Sequence, residues 1–295
     1  MKDVEFYKLQ GSGNDFILID TRYSMFDARV NYKKIAKRYC ERKRGIGADG
    51  LLIIEPSQTT DFKMRIFNAD GSEAEMCGNG ARCVAFWAYS TKKGNTRSIK
   101  AGQTLNMVRF ETIAGFIDAE VSNNKSSCAK VKIKLSKPHS ARMDIPLTVL
   151  GRKIHVHFIN TGVPHTIVFV EGLKQIDVDT IGRAIRFDKK FAPAGTNVDF
   201  VEYIKEKTVA IRTYERGVEA ETFACGTGAV ASSLIAMRYL GPKRKSSISV
   251  YKVHTASGEV LKVYVELDKD EIDTVWLEGD VYCVYKGIIA NANLH

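Results

Sequence analysis

Two cysteines stand in near-copies of one motif, Cys77-Gly78-Asn79-Gly80-Ala81 and Cys225-Gly226-Thr227-Gly228-Ala229. Their offset, 225 − 77 = 148, is close to half of the 295 residues. A thiol both takes and gives a proton near neutral pH once its surroundings lower its pKa. One such thiol in each half of a chain, on opposite walls of a cleft, suits one reaction. A proton leaves one face of a carbon and a proton returns to the other. A single base would hand the proton back to the side it left, whereas two opposed bases invert the centre. Neither a metal nor pyridoxal phosphate is required for that.

Each cysteine ends a strand and turn and immediately precedes a helix, so the motif sits at a helix N-terminus. The glycines at 78, 80, 226 and 228 let a ligand approach the backbone closely. The first N–H groups of a helix lack internal partners and lie at the positive end of its dipole. Two such ends on one cleft make a carboxylate site. Loss of an α-proton pushes negative charge onto that carboxylate, where the N–H groups stabilise it. The same field is expected to favour thiolate over thiol. His165, in Thr161-Gly162-Val163-Pro164-His165, and Glu215, in Tyr214-Glu215-Arg216-Gly217, are the candidate proton-handling neighbours.

The elements that must hold these groups are mostly short strands. Lys130-Val131-Lys132-Ile133-Lys134-Leu135 shows their alternating pattern, with one face buried. Four segments read as helices: 31–41, 79–91, 178–187 and 227–240. The last is apolar nearly all round, so other structure must wrap it. It stops at Leu240-Gly241-Pro242. Segment 92–105 reads as a long polar connection. The repeat extends past the cysteines, because Arg65-Ile66-Phe67 leads into the first motif as Arg212-Thr213-Tyr214 leads into the second. Gly47-Ala48-Asp49 and Gly195-Thr196-Asn197 keep the offset of 148 (195 − 47). The expected fold is therefore α+β with two pseudo-symmetric domains, each a curled, mainly antiparallel sheet or barrel around a central buried helix. The expected domains are 1–122 with about 274–295, and 123–273, with the active site in the cleft between them.

Composition narrows the class. At 44% hydrophobic and 26% charged residues, the chain has the balance of a soluble globular protein. No apolar run reaches the roughly 18 residues a membrane span needs. The first residues lack a signal peptide's apolar core, which predicts a cytoplasmic protein with six reduced cysteines. No spacing among those cysteines suits zinc. The net charge of +10 is spread in short runs, such as Lys243-Arg244-Lys245, without interleaved aromatics. That argues against nucleic acid as a partner and fits an anionic small molecule. His155 and His157 alternate on a strand that is expected to face solvent. Cys40, Cys83, Cys128 and Cys283 read as packing residues, and Gly11-Ser12-Gly13 as a tight turn.

Taken together, Gly11-x-Gly13-Asn14-Asp15-Phe16, Phe67-Asn68-Ala69-Asp70-Gly71-Ser72, Cys77-Gly78-Asn79-Gly80-Ala81-Arg82-Cys83, Phe110-Glu111-Thr112-x-Ala114-Gly115 and Glu215-Arg216-Gly217 through Ala224-Cys225-Gly226-Thr227-Gly228 resemble the diaminopimelate epimerases over nearly the whole chain. The resemblance implies a cofactor-independent epimerase, without metal, that interconverts LL- and meso-diaminopimelate for lysine and peptidoglycan synthesis, as a homodimer. It implies Cys77 and Cys225 as paired acid and base, with His165 assisting Cys77 and Glu215 assisting Cys225. Gly78, Asn79, Gly226 and Thr227 would hold the reacting carboxylate. Asn14, Asn68, Asn197 and Arg216 would fix the substrate, the last three mainly at its distal end, where Arg216 grips a carboxylate with a fork of donors.

Two positions depart from the family. Val163 stands where many members have Asn, and Gly50 where many have Gln, so a distal contact is missing or comes from Asn160 or water. Two alternatives stay open: a two-thiol racemase of another amino acid such as histidine, and a redox-responsive binding protein whose thiols pair when oxidised.

Overall fold

A computed structural model describes residues 2–22, 30–94, 106–125, 127–240, 247–269 and 271–292. The connection expected at 92–105 and the stop at Gly241-Pro242 lie largely outside these residues, as does the run Lys243-Arg244-Lys245. In chain order the first elements are β1 (Lys2–Gly11), β2 (Asn14–Asp20), α1 (Tyr32–Tyr39), β3 (Gly50–Glu55), β4 (Lys63–Asn68), β5 (Glu73–Ala74), α2 (Gly78–Ser90), β6 (Asn106–Thr112), β7 (Gly115–Lys125) and β8 (Cys128–Leu135). There follow β9 (His139–Val149), β10 (Arg152–Asn160), β11 (Pro164–Phe169), α3 (Val178–Arg186), β12 (Asn197–Lys205), β13 (Thr208–Glu215), β14 (Ala220–Thr222), α4 (Gly226–Tyr239), β15 (Ile248–His254), β16 (Val260–Asp268) and β17 (Glu271–Ala292).

The chain divides into two compact units, 1–133 with 279–295, and 134–278. The divide falls inside β8 rather than at 122, because β7 and β8 form a hairpin, and the return falls inside β17. In the first unit the strands pair in the order β17-β1-β2-β3-β4-β6-β7-β8, and β8 pairs with β17 to close the series. All described pairs are antiparallel except β2–β3 and β4–β6. In the second unit the order is β9-β10-β11-β12-β13-β15-β16-β17, with β11–β12 and β13–β15 parallel. The two units thus repeat one topology, down to a bidentate ion pair. Arg65 grips Glu73 at 2.6 and 2.9 Å as Arg212 grips Glu221 at 2.7 and 2.6 Å.

Each unit wraps one helix. On α2, Ala81 and Cys83 through Ala88 are all buried, and Trp87 meets Phe62 edge-on at 6.0 Å. On α4, Ala229 through Met237 are buried, including Ser233, whose hydroxyl turns back to Ala229 O at 2.8 Å. Burying one large apolar side chain contributes about 1.5–3 kcal/mol, so these helices are anchored by burial rather than by a polar outer face. The shorter α1 and α3 carry ordinary caps, with Asn31 accepting from Lys34 N at 3.2 Å and Asp177 from Thr180 N at 3.1 Å.

Two features differ from the expectation. Strand β9 is not among the expected elements: Ala141 to Val149 alternate apolar and polar residues, but Pro146 lies within them, positive φ values at Ser140 and Asp144 interrupt the strand, and only Leu147 and Val149 are buried. His157 does not face solvent. It is 2% exposed, packs against Phe169 and Tyr239 at 5.4 and 4.5 Å, and accepts from Asp144 N at 3.3 Å. His155, two residues earlier on the same strand, is exposed.

Candidate active site

Cys77 and Cys225 are the N-cap residues of α2 and α4, with extended backbone (φ −138° and −114°). The first helical bonds run from Ala81 N to Cys77 O at 2.8 Å and from Ala229 N to Cys225 O at 2.9 Å. The amides of Gly78, Asn79 and Gly80, and of Gly226, Thr227 and Gly228, therefore precede the helical ladder. Neither cysteine side chain caps its helix as Asn31 and Asp177 do.

In the first unit, Asn79 and Asn14 meet. Asn79 Nδ2 donates to Asn14 Oδ1 at 2.7 Å, and Asn14 Nδ2 donates to Asp49 Oδ2 at 3.1 Å. Asn14 follows a two-residue hairpin turn in which Ser12 and Gly13 both have positive φ (53° and 85°), the geometry of a type I′ turn. Arg82, fully buried on α2, donates through Nη2 to Ser12 Oγ at 2.6 Å and Asn79 Oδ1 at 2.7 Å. Asp15 pairs with Lys8 and Arg42, each at 2.8 Å. Burial pushes its carboxyl up, but those two cations outweigh it and hold the group down to about 2. Asn68 ends β4, exposed, and donates to Ser72 Oγ at 2.9 Å. Gly50 lies opposite Asn68 in the β3–β4 ladder. A Cβ there would stand 3.0 Å from Phe67 O.

The second unit gathers more of the expected residues. His165 Nδ1 lies 2.7 Å from Asp199 Oδ2, and its Nε2 lies 3.0 Å from Thr227 Oγ1. Thr227 Oγ1 in turn lies 3.4 Å from Cys225 Sγ. Asn197 donates to Pro164 O at 3.1 Å and accepts the Arg216 backbone N–H at 2.8 Å. The Arg216 guanidinium donates to Ala194 O at 3.0 Å. Asn160 Oδ1 is committed to Gly162 N at 2.9 Å, inside the turn that carries Val163.

Asp199 was not marked by its sequence, although a carboxylate within the fully buried run Asn197-Val198-Asp199-Phe200-Val201 is itself a signal. Both oxygens are used, since Thr213 Oγ1 donates to Oδ1 at 2.7 Å. The carboxylate fits under α4 because residue 228 is glycine; a Cβ there would overlap Asp199 Oδ1.

The electrostatics correct one expectation. Burial first, then the charges of Glu215 and Asp199, push the Cys225 thiol above the ordinary range, and the Thr227 hydroxyl and Gly228 amide only partly oppose them. Burial also raises Glu215, against the opposing pull of the Thr222 hydrogen bond. Since its folded pKa lies above its unfolded one, stability falls as pH rises from the usual glutamate range through the raised value. Glu215→Gln is therefore expected to melt higher than wild type at neutral pH, with the gap closing in acid, as thermal unfolding across pH will show.

Cys40, Cys128 and Cys283 are free thiols. Burial pushes Cys40 up to about 12. A cavity of about 720 Å³ in the second unit is bordered by Leu173, Ile204 and Phe223 and includes none of the candidate residues. Its Glu221 is held by Arg212 and its Glu202 accepts the Gly172 N–H, so its carboxylates are already engaged. Among the described residues, no group of His, Cys, Asp and Glu is arranged to hold a metal ion, and no helix is long and apolar enough to cross a membrane.

Comparison with known proteins gives a consistent result. The diaminopimelate epimerase family profile matches residues 6–138 and 157–283. A diaminopimelate epimerase from Aquifex aeolicus is 45% identical, over 96% of this chain and 97% of that one. One from Hydrogenobaculum sp. is 41% identical, over 96% and 97%. Among solved structures, a phenazine biosynthesis protein of the PhzF family from Bacillus anthracis superposes with a TM-score of 0.74, at 15% identity, over 98% of this chain and 99% of that one. A probable proline racemase from Agrobacterium radiobacter K84 gives 0.68, at 14% identity, over 98% and 93%. At such identities these two speak for the fold alone. The sequence relatives speak for more: this chain is an epimerase, an isomerase belonging to the diaminopimelate epimerase family.

Proposed function

We propose that this protein interconverts LL- and meso-2,6-diaminopimelate by a two-thiol acid–base mechanism, with Cys77 and Cys225 as the paired proton donor and acceptor. The observation that carries the reading is the repeated Cys-Gly-x-Gly-Ala at the starts of α2 and α4, in a chain whose relatives are diaminopimelate epimerases. The amides of Gly78, Asn79, Gly226 and Thr227 bind the reacting carboxylate and stabilise the charge that develops when the α-proton leaves. One cysteine takes that proton as thiolate, and the other gives its proton to the opposite face. Each turnover therefore ends with the two protonation states exchanged. His165 serves Cys77 and Glu215 serves Cys225 in resetting them. Asn14, Asn68, Asn197 and Arg216 recognise the rest of the substrate.

The product would feed lysine and peptidoglycan precursor synthesis. By the family resemblance the enzyme works in the cytoplasm as a homodimer. The second reading, a racemase of another amino acid, is favoured only by Val163 and Gly50. A panel assay separates the two. Stereoisomer-resolved chromatography is expected to show LL-diaminopimelate converting to meso, with histidine, proline and glutamate unchanged. Turnover of one of those, and none of diaminopimelate, would replace the substrate while keeping the chemistry.

A further inference from the structure

In the second unit a continuous hydrogen-bonded series runs from a thiol to a buried carboxylate: Cys225 Sγ to Thr227 Oγ1 at 3.4 Å, Thr227 Oγ1 to His165 Nε2 at 3.0 Å, and His165 Nδ1 to Asp199 Oδ2 at 2.7 Å. The side chains of His165 and Asp199 are fully buried.

The direction of each bond follows from what its atoms can do. An ionised carboxylate only accepts, so His165 Nδ1 carries the hydrogen and donates to Asp199. A ring with that one hydrogen leaves Nε2 as an acceptor. A second group agrees: Asn197 Oδ1 is pinned by the Arg216 N–H at 2.8 Å, which turns Asn197 Nδ2 toward the same Nε2 at 3.5 Å. Thr227 therefore donates its hydroxyl hydrogen to His165, and its oxygen is left to accept from the Cys225 S–H. All the bonds point one way, from thiol to carboxylate.

We propose that Thr227 is a proton relay joining the Cys225 thiol to the His165–Asp199 pair. The Cys225 S–H bond breaks and its proton passes to the Thr227 oxygen, while the hydroxyl proton of Thr227 passes to His165 Nε2. Threonine ends neutral. The products are a thiolate and an imidazolium held by Asp199, so the net charge of the buried cluster does not change. That matters because solitary ionisation of Cys225 is opposed on several sides: by burial, by Glu215 from β13 and by Asp199 from β12. An imidazolium formed on β11 in the same event offsets that opposition.

The first unit differs at the matching position. The position matching Thr227 is Asn79, whose nitrogen donates to Asn14 and whose oxygen accepts from Arg82. A hydroxyl donates and accepts through one oxygen and can pass a proton on. An amide separates those roles and cannot. Asp49, the counterpart of Asn197 at 197 − 49 = 148, is tied to Arg42 at 2.7 Å. Thr227 passes the proton itself, whereas Asp199 is a positioning residue that acts through His165. The inference rests on the proposed function in taking Cys225 as one of the two working thiols, and departs from it in giving His165 Nε2 to Cys225 rather than to Cys77.

The test uses the full chain without substrate. Alkylation of Cys225 by iodoacetamide is followed against pH by peptide mass mapping, with Cys77 in the same samples as an internal reference. Thr227→Val and His165→Asn should each slow Cys225 near neutral pH by about tenfold, equal to about one pKa unit. The double variant should be no slower than either single one, because both cut the same path. Thr227→Ser should keep the wild-type profile. Wild-type reactivity in Thr227→Val, or multiplying effects in the double variant, would overturn the relay. Asp199→Asn tests it from the other end. An amide that donates to Nδ1 moves the imidazole hydrogen to Nε2, so the ¹⁵N spectrum of His165 should switch tautomer from wild type to variant. An Nε2–H ring in the wild type would also overturn it. Because no substrate is present, failure here leaves the epimerisation standing, and failure to turn over diaminopimelate leaves the relay standing.

Discussion

Cys77→Ala and Cys225→Ala are each expected to lower the rate of inversion by about 10³-fold or more, the scale of a lost acid–base group that no neighbour replaces. Cys128→Ala should stay near wild type, since Cys128 lies half-buried on β8 outside the candidate set. The loss arises because inversion needs a donor and an acceptor in one cycle, so either thiol alone is insufficient. Proton exchange without inversion is the residual activity to look for. One thiol can still withdraw and restore a proton on its own face, and deuterium entering with retained configuration would reveal it. Normal turnover by Cys225→Ala would sink the two-base mechanism.

The second large effect is expected from Gly228→Ala, set beside Gly80→Ala at the matching place in the repeat. A Cβ at residue 80 meets Leu52 Cδ2 at 3.1 Å, the end of a side chain that can shift by a few tenths of an ångström. A Cβ at residue 228 overlaps the Asp199 carboxylate, which His165 and Thr213 hold from the other side. Overpacking of this kind costs about 1–3 kcal/mol. Here it also displaces the group that orients His165. Thermal unfolding should show both variants folded, with Gly228→Ala melting lower. Turnover should fall by about 10²-fold or more in Gly228→Ala, in keeping with a disturbed acid–base group. It should change only a few-fold in Gly80→Ala. Equal activities would mean that Asp199 has no part in the chemistry.

How much of this was legible in the sequence depends on whether the signal was local. Helices α2 and α4 stand out because residues such as Phe86-Trp87 and Leu234-Ile235 leave no polar face, and their N-termini are marked by Cys-Gly. The repeat offset of 148 carries the pairing order from one unit to the other, since equal spacing preserves equal connectivity. Strand β9 does alternate, with Ala141, Met143, Ile145, Leu147 and Val149 on its less exposed face, but Pro146 interrupts the strand signal and only Leu147 and Val149 are fully buried. Arg82 passed unremarked inside a greasy helix, yet a guanidinium at 0% exposure has to be held by something, and Ser12 and Asn79 hold it. Asp199 is a third kind of miss. Its role comes from three segments distant in sequence, which bring His165, Thr213 and Gly228 around one carboxylate. The surroundings of Cys225 are hidden from the sequence for the same reason. A helix start is visible in sequence, whereas the burial and neighbouring carboxylates that outweigh it arise only from the fold.

The central claim is that two different groups handle the departing and arriving protons. The most direct measurement is turnover of LL-diaminopimelate in D₂O by the reduced wild-type enzyme, stopped early and read by NMR together with stereoisomer analysis. With two bases, the meso product carries deuterium at the inverted carbon from the first turnover, while recovered LL substrate remains protonated. Meso product that retains the substrate's hydrogen, or LL substrate that gains deuterium as fast as meso product forms, would contradict the account.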